Sequence, residues 1–278
     1  MVRKNREVPR TYVHGDFDAA SLAASRAGHR ISVCIPARDE EATVGAVVSC
    51  IVTTLTARGG GVDLVDEVLV VDDRSTDATV AVARDAGARV VSAGASGGGK
   101  GQAMRVALGE ATGDLIVFLD ADVENFGPHF VVGLLGPLLC EEPGVEPAVL
   151  VKGCYERPLG DRPSGGGRVT ELVAKPAIDL LFPALSGIRQ PLAGETAAPR
   201  AVLEKVELFS GYGVELALLV DIADRFGTEA IAQVDLGVRI HRNRPLHELR
   251  AQATEVLRAA LVRADELRAA GGSHLGPR

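Results

Sequence analysis

The 278-residue sequence has no surplus of positive charge: 30 lysines and arginines stand against 37 aspartates and glutamates, a formal net charge of −7. No global basic field is available to neutralise phosphates, which argues against a general nucleic-acid binder. Paired cysteines are also missing. Cys34, Cys50, Cys140 and Cys154 lie far apart with no C-x-x-C among them, poor material for a zinc site or a disulfide framework and better suited to a reducing compartment. Cys34 and Cys50 fall inside apolar patterns, where cysteine serves as a small hydrophobe. No stretch approaches the ~20 apolar residues of a membrane span, and no apolar h-region follows the basic N-terminus. The expected protein is cytoplasmic, without nucleic acid or membrane as partner.

What is present is a regular alternation. Residues 1–30 are polar and weakly patterned and read as an arm laid on the domain. Ile31 to Pro36 is an apolar run closed by a proline, as a buried strand would be, and Val44, Val47, Val48 and Ile51 follow at helical spacing. Val68 to Asp73 makes a second strand, with Ser75 or Thr76 as N-cap of a helix that stops near Gly87. Ala88 to Ser92 is a third strand, Lys100 to Ala111 a third helix, and Leu115 to Leu119 a fourth strand running into Asp120-Ala121-Asp122. Such alternation gives βαβ units and a mostly parallel sheet covered on both faces, an α/β fold. Ligands of these sheets bind at the carboxyl ends of the strands. Asp39-Glu40-Glu41, Asp72-Asp73 and Asp120 with Asp122 all fall there, which points to one site rather than three separate caps.

The second half is less regular. Ala148 to Lys152 reads as a further strand, Gly165 to Gly167 as a loop before Arg168-Val169-Thr170, and Val234 to His241 as another strand. One helix runs from Pro245, with Leu246, Leu249, Ala253, Val256, Ala260 and Leu267 in a broken three-four spacing.

Two motifs carry chemistry. Asp120 and Asp122, one residue apart at a strand end, can both turn onto one divalent cation. Mg²⁺ or Mn²⁺ prefers such hard oxygens and keeps places for the two phosphates of a nucleotide. Gly94 to Gly101 nearly fits the P-loop, G-x-x-x-x-G-K followed by Ser or Thr, with Gly101 standing where the hydroxyl belongs. The other reading of this loop is a set of exposed amides and Lys100 at a helix start, suited to an anion such as a sugar diphosphate. No G-x-G-x-x-G follows the first strand, which speaks against a dinucleotide oxidoreductase.

The succession Pro36 to Glu41, Val71 to Asp77, Gly99-Lys100-Gly101 and Leu119 to Asp122 resembles the nucleotide-sugar half of GT-A glycosyltransferases. More narrowly, Gly167-Arg168-Val169-Thr170, Pro191 to Glu195, Gly211 to Glu215 and Arg239-Ile240-His241 resemble the glucosyl-3-phosphoglycerate synthase family. The resemblance implies a GT-A fold with a Rossmann-like, mostly parallel nucleotide-sugar half and a mixed acceptor half. It implies transfer of an α-glucosyl unit from UDP-glucose to the 2-hydroxyl of 3-phosphoglycerate, with retention. Pro36, Ala37, Arg38, Glu40, Asp73, Lys100, Asp120, Ala121 and Glu215 would line the donor pocket, Pro36 and Ala37 through backbone contact with uracil. Gly167, Arg168, Val169 and Thr170 would hold the acceptor. Asp122 and His241 would hold the metal, and Lys100, Asp122 and Glu215 would carry the catalysis. Arg38-Asp39 and Asp73 depart from the family pattern, which has a less charged pair and often serine there. The expected organisation is an arm (1–30), a nucleotide-sugar half (31–147), an acceptor half (148–244) and a C-terminal helix and tail (245–278), with 31–244 one continuous domain.

Each residue also has a purely structural reading. Arg168-Val169-Thr170 can be a surface turn after glycines, His241 a satisfied core or surface histidine, and Glu215 a first-turn acid favoured by a helix dipole. The terminal helix can cover the core or form a homodimer contact. At the level of function the alternatives are mannosyl-3-phosphoglycerate synthesis from GDP-mannose, a P-loop-like NTPase, a sugar-nucleotide sensor, or a nucleotidyltransferase. The last would want its glycine-rich loop directly after the first strand.

Overall fold

The computed structural model describes residues 9–94, 98–140, 145–158, 167–240, 245–271 and 275–276. Its strands are β1 (Arg10–Val13), β2 (Ile31–Ala37), β3 (Glu67–Asp72), β4 (Arg89–Ser92), β5 (Leu115–Phe118), β6 (Leu150–Glu156), β7 (Thr196–Pro199) and β8 (Ile231–Val238). They form one sheet in the order β1-β8-β6-β7-β5-β2-β3-β4. β2 pairs in parallel with β3 and β5, and β8 in parallel with β1 and β6; β7 runs antiparallel to both β5 and β6. The sheet is therefore mixed, and it passes without a break from the expected nucleotide half into the second half.

The strands are apolar throughout because both faces are covered. Val33, Ile35, Val68, Val70 and Val117 pack on one side with the helices α2 (Val44–Leu55) and α5 (His129–Leu139). Cys34, Leu69, Val71, Ile116 and Phe118 face the other side. There they meet α4 (Gly99–Glu110), α6 (Lys175–Leu181), α8 (Val214–Phe226) and α9 (Leu249–Ala269). Shorter helices α1 (Ala19–Ser25), α3 (Thr79–Asp85) and α7 (Arg200–Leu203) fill the connections.

Two local expectations are corrected. Residues 10–13 are not an arm lying on the domain but its edge strand, with Arg10 opposite Ala232 and Val13 opposite Asp235. Ser75 and Thr76 do not cap α3, which begins at Thr79 and takes a hydrogen bond from Thr79 N to Asp77 Oδ1 (3.0 Å). The Asp39 N–H donates to Ser75 Oγ (3.0 Å) and Thr76 N donates to Asp39 Oδ1 (2.8 Å), so these hydroxyl residues serve a neighbouring loop instead.

Candidate active site

The segments that leave β2 and β3 at their carboxyl ends are laced together. Glu41 Oε2 accepts from Ala78 N (2.8 Å), and Glu40 N donates to Thr79 Oγ1 (2.8 Å). Asp39 (φ 53°) and Arg74 (φ 63°) are both non-glycine residues in the left-handed region, a conformation that costs free energy and persists where surrounding contacts impose it. Asp39 and Glu41 are thus spent on structure. Asp73 is buried and paired with Arg74 Nε at 3.2 Å.

Across β5 from this edge lies the charged centre. Lys100, in the first turn of α4, sends its ammonium between Asp120, with which it forms a very short ion pair, and Glu215 Oε1 (2.6 Å). Glu215 is in the first turn of α8 and buried. The dipole reading of this glutamate and its place in the site are therefore compatible. Arg239, just past β8 and 1% exposed, reaches Asp122 Oδ1 (2.6 Å), Asp120 Oδ2 (2.9 Å) and Glu195 Oε1 (3.2 Å). Burial pushes the Asp120 carboxyl up, but Lys100 and Arg239 outweigh it and hold the group below the usual carboxylate range. Burial likewise opposes the Lys100 charge, and Asp120 and Glu215 more than restore it, so the ammonium is fixed in its charged state. Gly194 lies against this centre: a Cβ there would strike Asp120 Oδ1 and crowd Lys100 Nζ.

Around the centre opens a cleft of about 540 Å³. Pro36, Ala37, Arg38, Glu40, Asp73, Lys100, Asp120, Ala121, Asp122, Gly167, Arg168, Val169, Thr170 and Glu215 all line it. These are all of the sequence-derived candidates except His241, which lies outside the described residues. Arg168 and Thr170 do not form a surface turn: helix begins at Arg168 and runs on to Leu181, and Thr170 is buried. Gly167, at φ 72°, supplies the left-handed residue before that helix.

The P-loop reading fails on geometry. A Cβ at Gly101 would collide with the Phe209 carbonyl, so the serine or threonine of that motif has no room. Lys100 is turned to carboxylates rather than back over its own loop. The oxygen set at Asp120 and Asp122 does suit a hard divalent cation, since both carboxylates border the cleft and Asp122 is partly exposed to it. Among the described residues no group of three or more His, Cys, Asp or Glu side chains is arranged to hold a metal alone.

Several residues of the site carried no signal as ligands. Arg239 was only the neighbour of His241 in the sequence, and Glu195 only part of a loop motif. Tyr155 is buried, its hydroxyl donating to Glu195 Oε2 (2.8 Å), with Arg157 and Arg239 over its ring at 5.1 and 5.3 Å. Lys152 is buried beneath the site and donates to the Ala193 carbonyl (2.5 Å). The terminal helix is more than a cover: Leu249, Gln252 and Val256 line the cleft, and Glu255 Oε2 accepts from Tyr212 N (2.6 Å).

Residues 32–132 match the model of Glycosyl transferase family 2. A glucosyl-3-phosphoglycerate synthase of Mycolicibacterium smegmatis is 48% identical over 89% of this chain and 82% of its own length. This chain belongs to the glucosyl-3-phosphoglycerate synthase family. The fold agrees at the level of coordinates. The Mycobacterium tuberculosis glucosyl-3-phosphoglycerate synthase in complex with Mg²⁺ and UDP superimposes with a TM-score of 0.81 at 42% identity, covering 93% of this chain and 88% of that one. The same enzyme with Mn²⁺, UDP-glucose and phosphoglyceric acid gives 0.79 at 42% identity, over 92% and 88%. The mixed sheet of this glucosyl-3-phosphoglycerate synthase family member is the GT-A fold that its motifs implied.

Proposed function

We propose that this chain is a retaining glucosyltransferase that moves the glucosyl unit of UDP-glucose to the 2-hydroxyl of 3-phosphoglycerate. The observation that carries the reading is the single cleft in which the Pro36–Glu40 segment, the Asp120/Asp122 pair, Glu215 and the Gly167–Thr170 segment meet. Family relatives named for this reaction support it.

In this reading residues 31–147 supply the donor side and residues 148–244 the acceptor side. Pro36, Ala37, Arg38, Glu40, Asp73 and Ala121 would bound the donor, and Gly167 to Thr170 the acceptor. Glu215, fixed by Lys100, presents its carboxylate to the hexose hydroxyls. Lys100 and Arg239 are held in place before substrate arrives, so their charges need no reorganisation as the diphosphate departs. Asp122 and His241 would hold Mg²⁺ or Mn²⁺, which when bound acts as a Lewis acid towards that diphosphate. Asp120, Glu195 and Glu215 each face a cation, which makes none of them an attractive nucleophile. That arrangement supports a same-face substitution: the bond from the anomeric carbon to phosphate breaks, its bond to the acceptor's 2-oxygen forms on the same side, and the hydroxyl proton passes to the departing phosphate.

We assign the protein to the cytoplasm, in keeping with four cysteines spaced far apart in the sequence with no C-x-x-C among them. We assign it as a homodimer, with Leu246, Leu257 and Leu261 of the C-terminal segment as exposed apolar contacts; sedimentation of the wild type against Leu257→Glu tests this. For the reaction, a panel of nucleotide sugars with 3-phosphoglycerate, read by product mass, is decisive. A mannosyl product from GDP-mannose, or binding without turnover, would overturn the assignment.

A further inference from the structure

On the acceptor side, the cleft holds a guanidinium that nothing in the motifs singled out. Arg157 follows β6 and borders the cleft beside Gly167 and Arg168; a Cβ on Gly167 would sit 3.5 Å from Arg157 Cδ. Its Nη2 donates to the Tyr155 hydroxyl (3.1 Å), a neutral group. Its Nε is shielded from solvent and finds no acceptor among the described residues.

Among the described residues, three other cations that line the cleft differ. Lys100 and Arg239 are paired with carboxylates, and Arg38 stands 3.8 Å from Asp39. Arg157 forms no ion pair among the described residues. A half-buried guanidinium facing a cleft with an unanswered N–H is matched to an incoming anion. The need for one follows from charge. A three-carbon acid bearing a phosphate monoester carries a carboxylate and a phosphate, about three negative charges at neutral pH. Such an acceptor enters a cleft already lined by six carboxylates, Asp39, Glu40, Asp73, Asp120, Asp122 and Glu215. One arginine in the Gly167–Thr170 segment can answer one of its anionic ends.

We propose that Arg157 is the second cation of the acceptor pocket, gripping one anionic end of 3-phosphoglycerate while the Gly167–Thr170 segment grips the other. The inference rests on the proposed acceptor. It makes Arg157 a specificity determinant, because an acceptor lacking the group it reads leaves this buried N–H unanswered.

The test uses the full-length protein with three acceptors: 3-phosphoglycerate, D-glycerate (no phosphate) and glycerol 3-phosphate (no carboxylate). Arg157→Gln should raise KM for 3-phosphoglycerate by about tenfold or more, the effect of one lost charge-assisted contact. UDP affinity in the presence of Mn²⁺, measured by calorimetry, should stay within about twofold of wild type, a factor too small to represent a lost contact. The variant should also lose the wild-type preference against one of the two truncated acceptors and keep it against the other. Arg157→Lys, which keeps the charge but not the fork, should recover part of the loss. An unchanged acceptor KM would overturn the proposal. So would a parallel fall in UDP binding, which would mean that Arg157 merely props Tyr155, or retained discrimination against both truncated acceptors. A wild-type protein inactive on 3-phosphoglycerate under every donor would instead overturn the proposed reaction, and the role of Arg157 in it.

Discussion

The Arg239 guanidinium lies 2.6 Å from the Asp122 carboxylate while 1% exposed. One buried cation thereby ties the expected metal ligand to Asp120 and Glu195. Removing one partner of a buried ion pair leaves the others uncompensated and costs about 3–5 kcal/mol. Arg239→Met should therefore lower unfolding stability by about that amount, as urea denaturation would read it. Arg239→Lys should fall between, since a point charge cannot face three carboxylates as a fork does. A variant as stable as wild type would mean that the pairing contributes nothing.

The metal reading is tested at the same carboxylate. Asp122→Ala should abolish turnover, and excess EDTA should do the same to the wild type, because a hard cation opposite a diphosphate loses its ligand or is withdrawn. Full activity in EDTA would remove the metal from the proposal.

Much of this site was legible because its residues punctuate strands. Asp39 to Glu41, Asp72-Asp73 and Asp120 with Asp122 end apolar runs, and such ends converge in a parallel sheet. Arg239 and Lys152 were opaque for the opposite reason. A charged residue within or just beyond a strand reads as solvent-facing, and Lys152 is buried only because β6 is sandwiched between β8 and β7. β1 was missed because four residues are too few to show a period. In the terminal helix Val256 and Ala260 are buried as their spacing foretold. Leu246 is 65% exposed because it sits in a separate turn before α9.

Lys152 carries a pH prediction. Burial depresses its ammonium to about 8, against the raising pull of Glu215. Between about pH 8 and the ordinary lysine value near 10.4 the unfolded chain then binds more protons than the folded one. The contribution of Lys152 to stability must rise with pH across that window and stay flat and unfavourable below it. The unfolding free energy of wild type minus that of Lys152→Met should accordingly grow from about pH 8 to about pH 10. Urea melts at several pH values measure the difference. A constant difference would show that Lys152 titrates as an ordinary lysine.

At the acceptor edge, Arg168→Ala should raise KM for 3-phosphoglycerate by about tenfold or more, with UDP-glucose binding near normal. If donor binding fell while the acceptor constant stayed put, the Gly167–Thr170 segment would belong to the donor.

The glycine-rich loop supplies the last test. A P-loop would bind ATP tightly, with Lys100 bridging β- and γ-phosphates, and would gain from a hydroxyl at position 101. Here Lys100 is anchored between Asp120 and Glu215, and a side chain at Gly101 meets the Phe209 carbonyl. UDP with metal should therefore bind tightly and ATP weakly, with no ATP hydrolysis. Lys100→Ala should reduce use of the UDP-sugar by at least about tenfold, the equivalent of about 1.4 kcal/mol. Gly101→Ser should destabilise the protein and weaken UDP binding together, because α4 and the Phe209–Ser210 backbone must move apart to admit it. Calorimetry with UDP and ATP on wild type and Gly101→Ser decides between the two. Improved ATP affinity in Gly101→Ser would mean that the loop is a phosphate cradle of the NTPase kind and that the donor assignment of Lys100 is wrong.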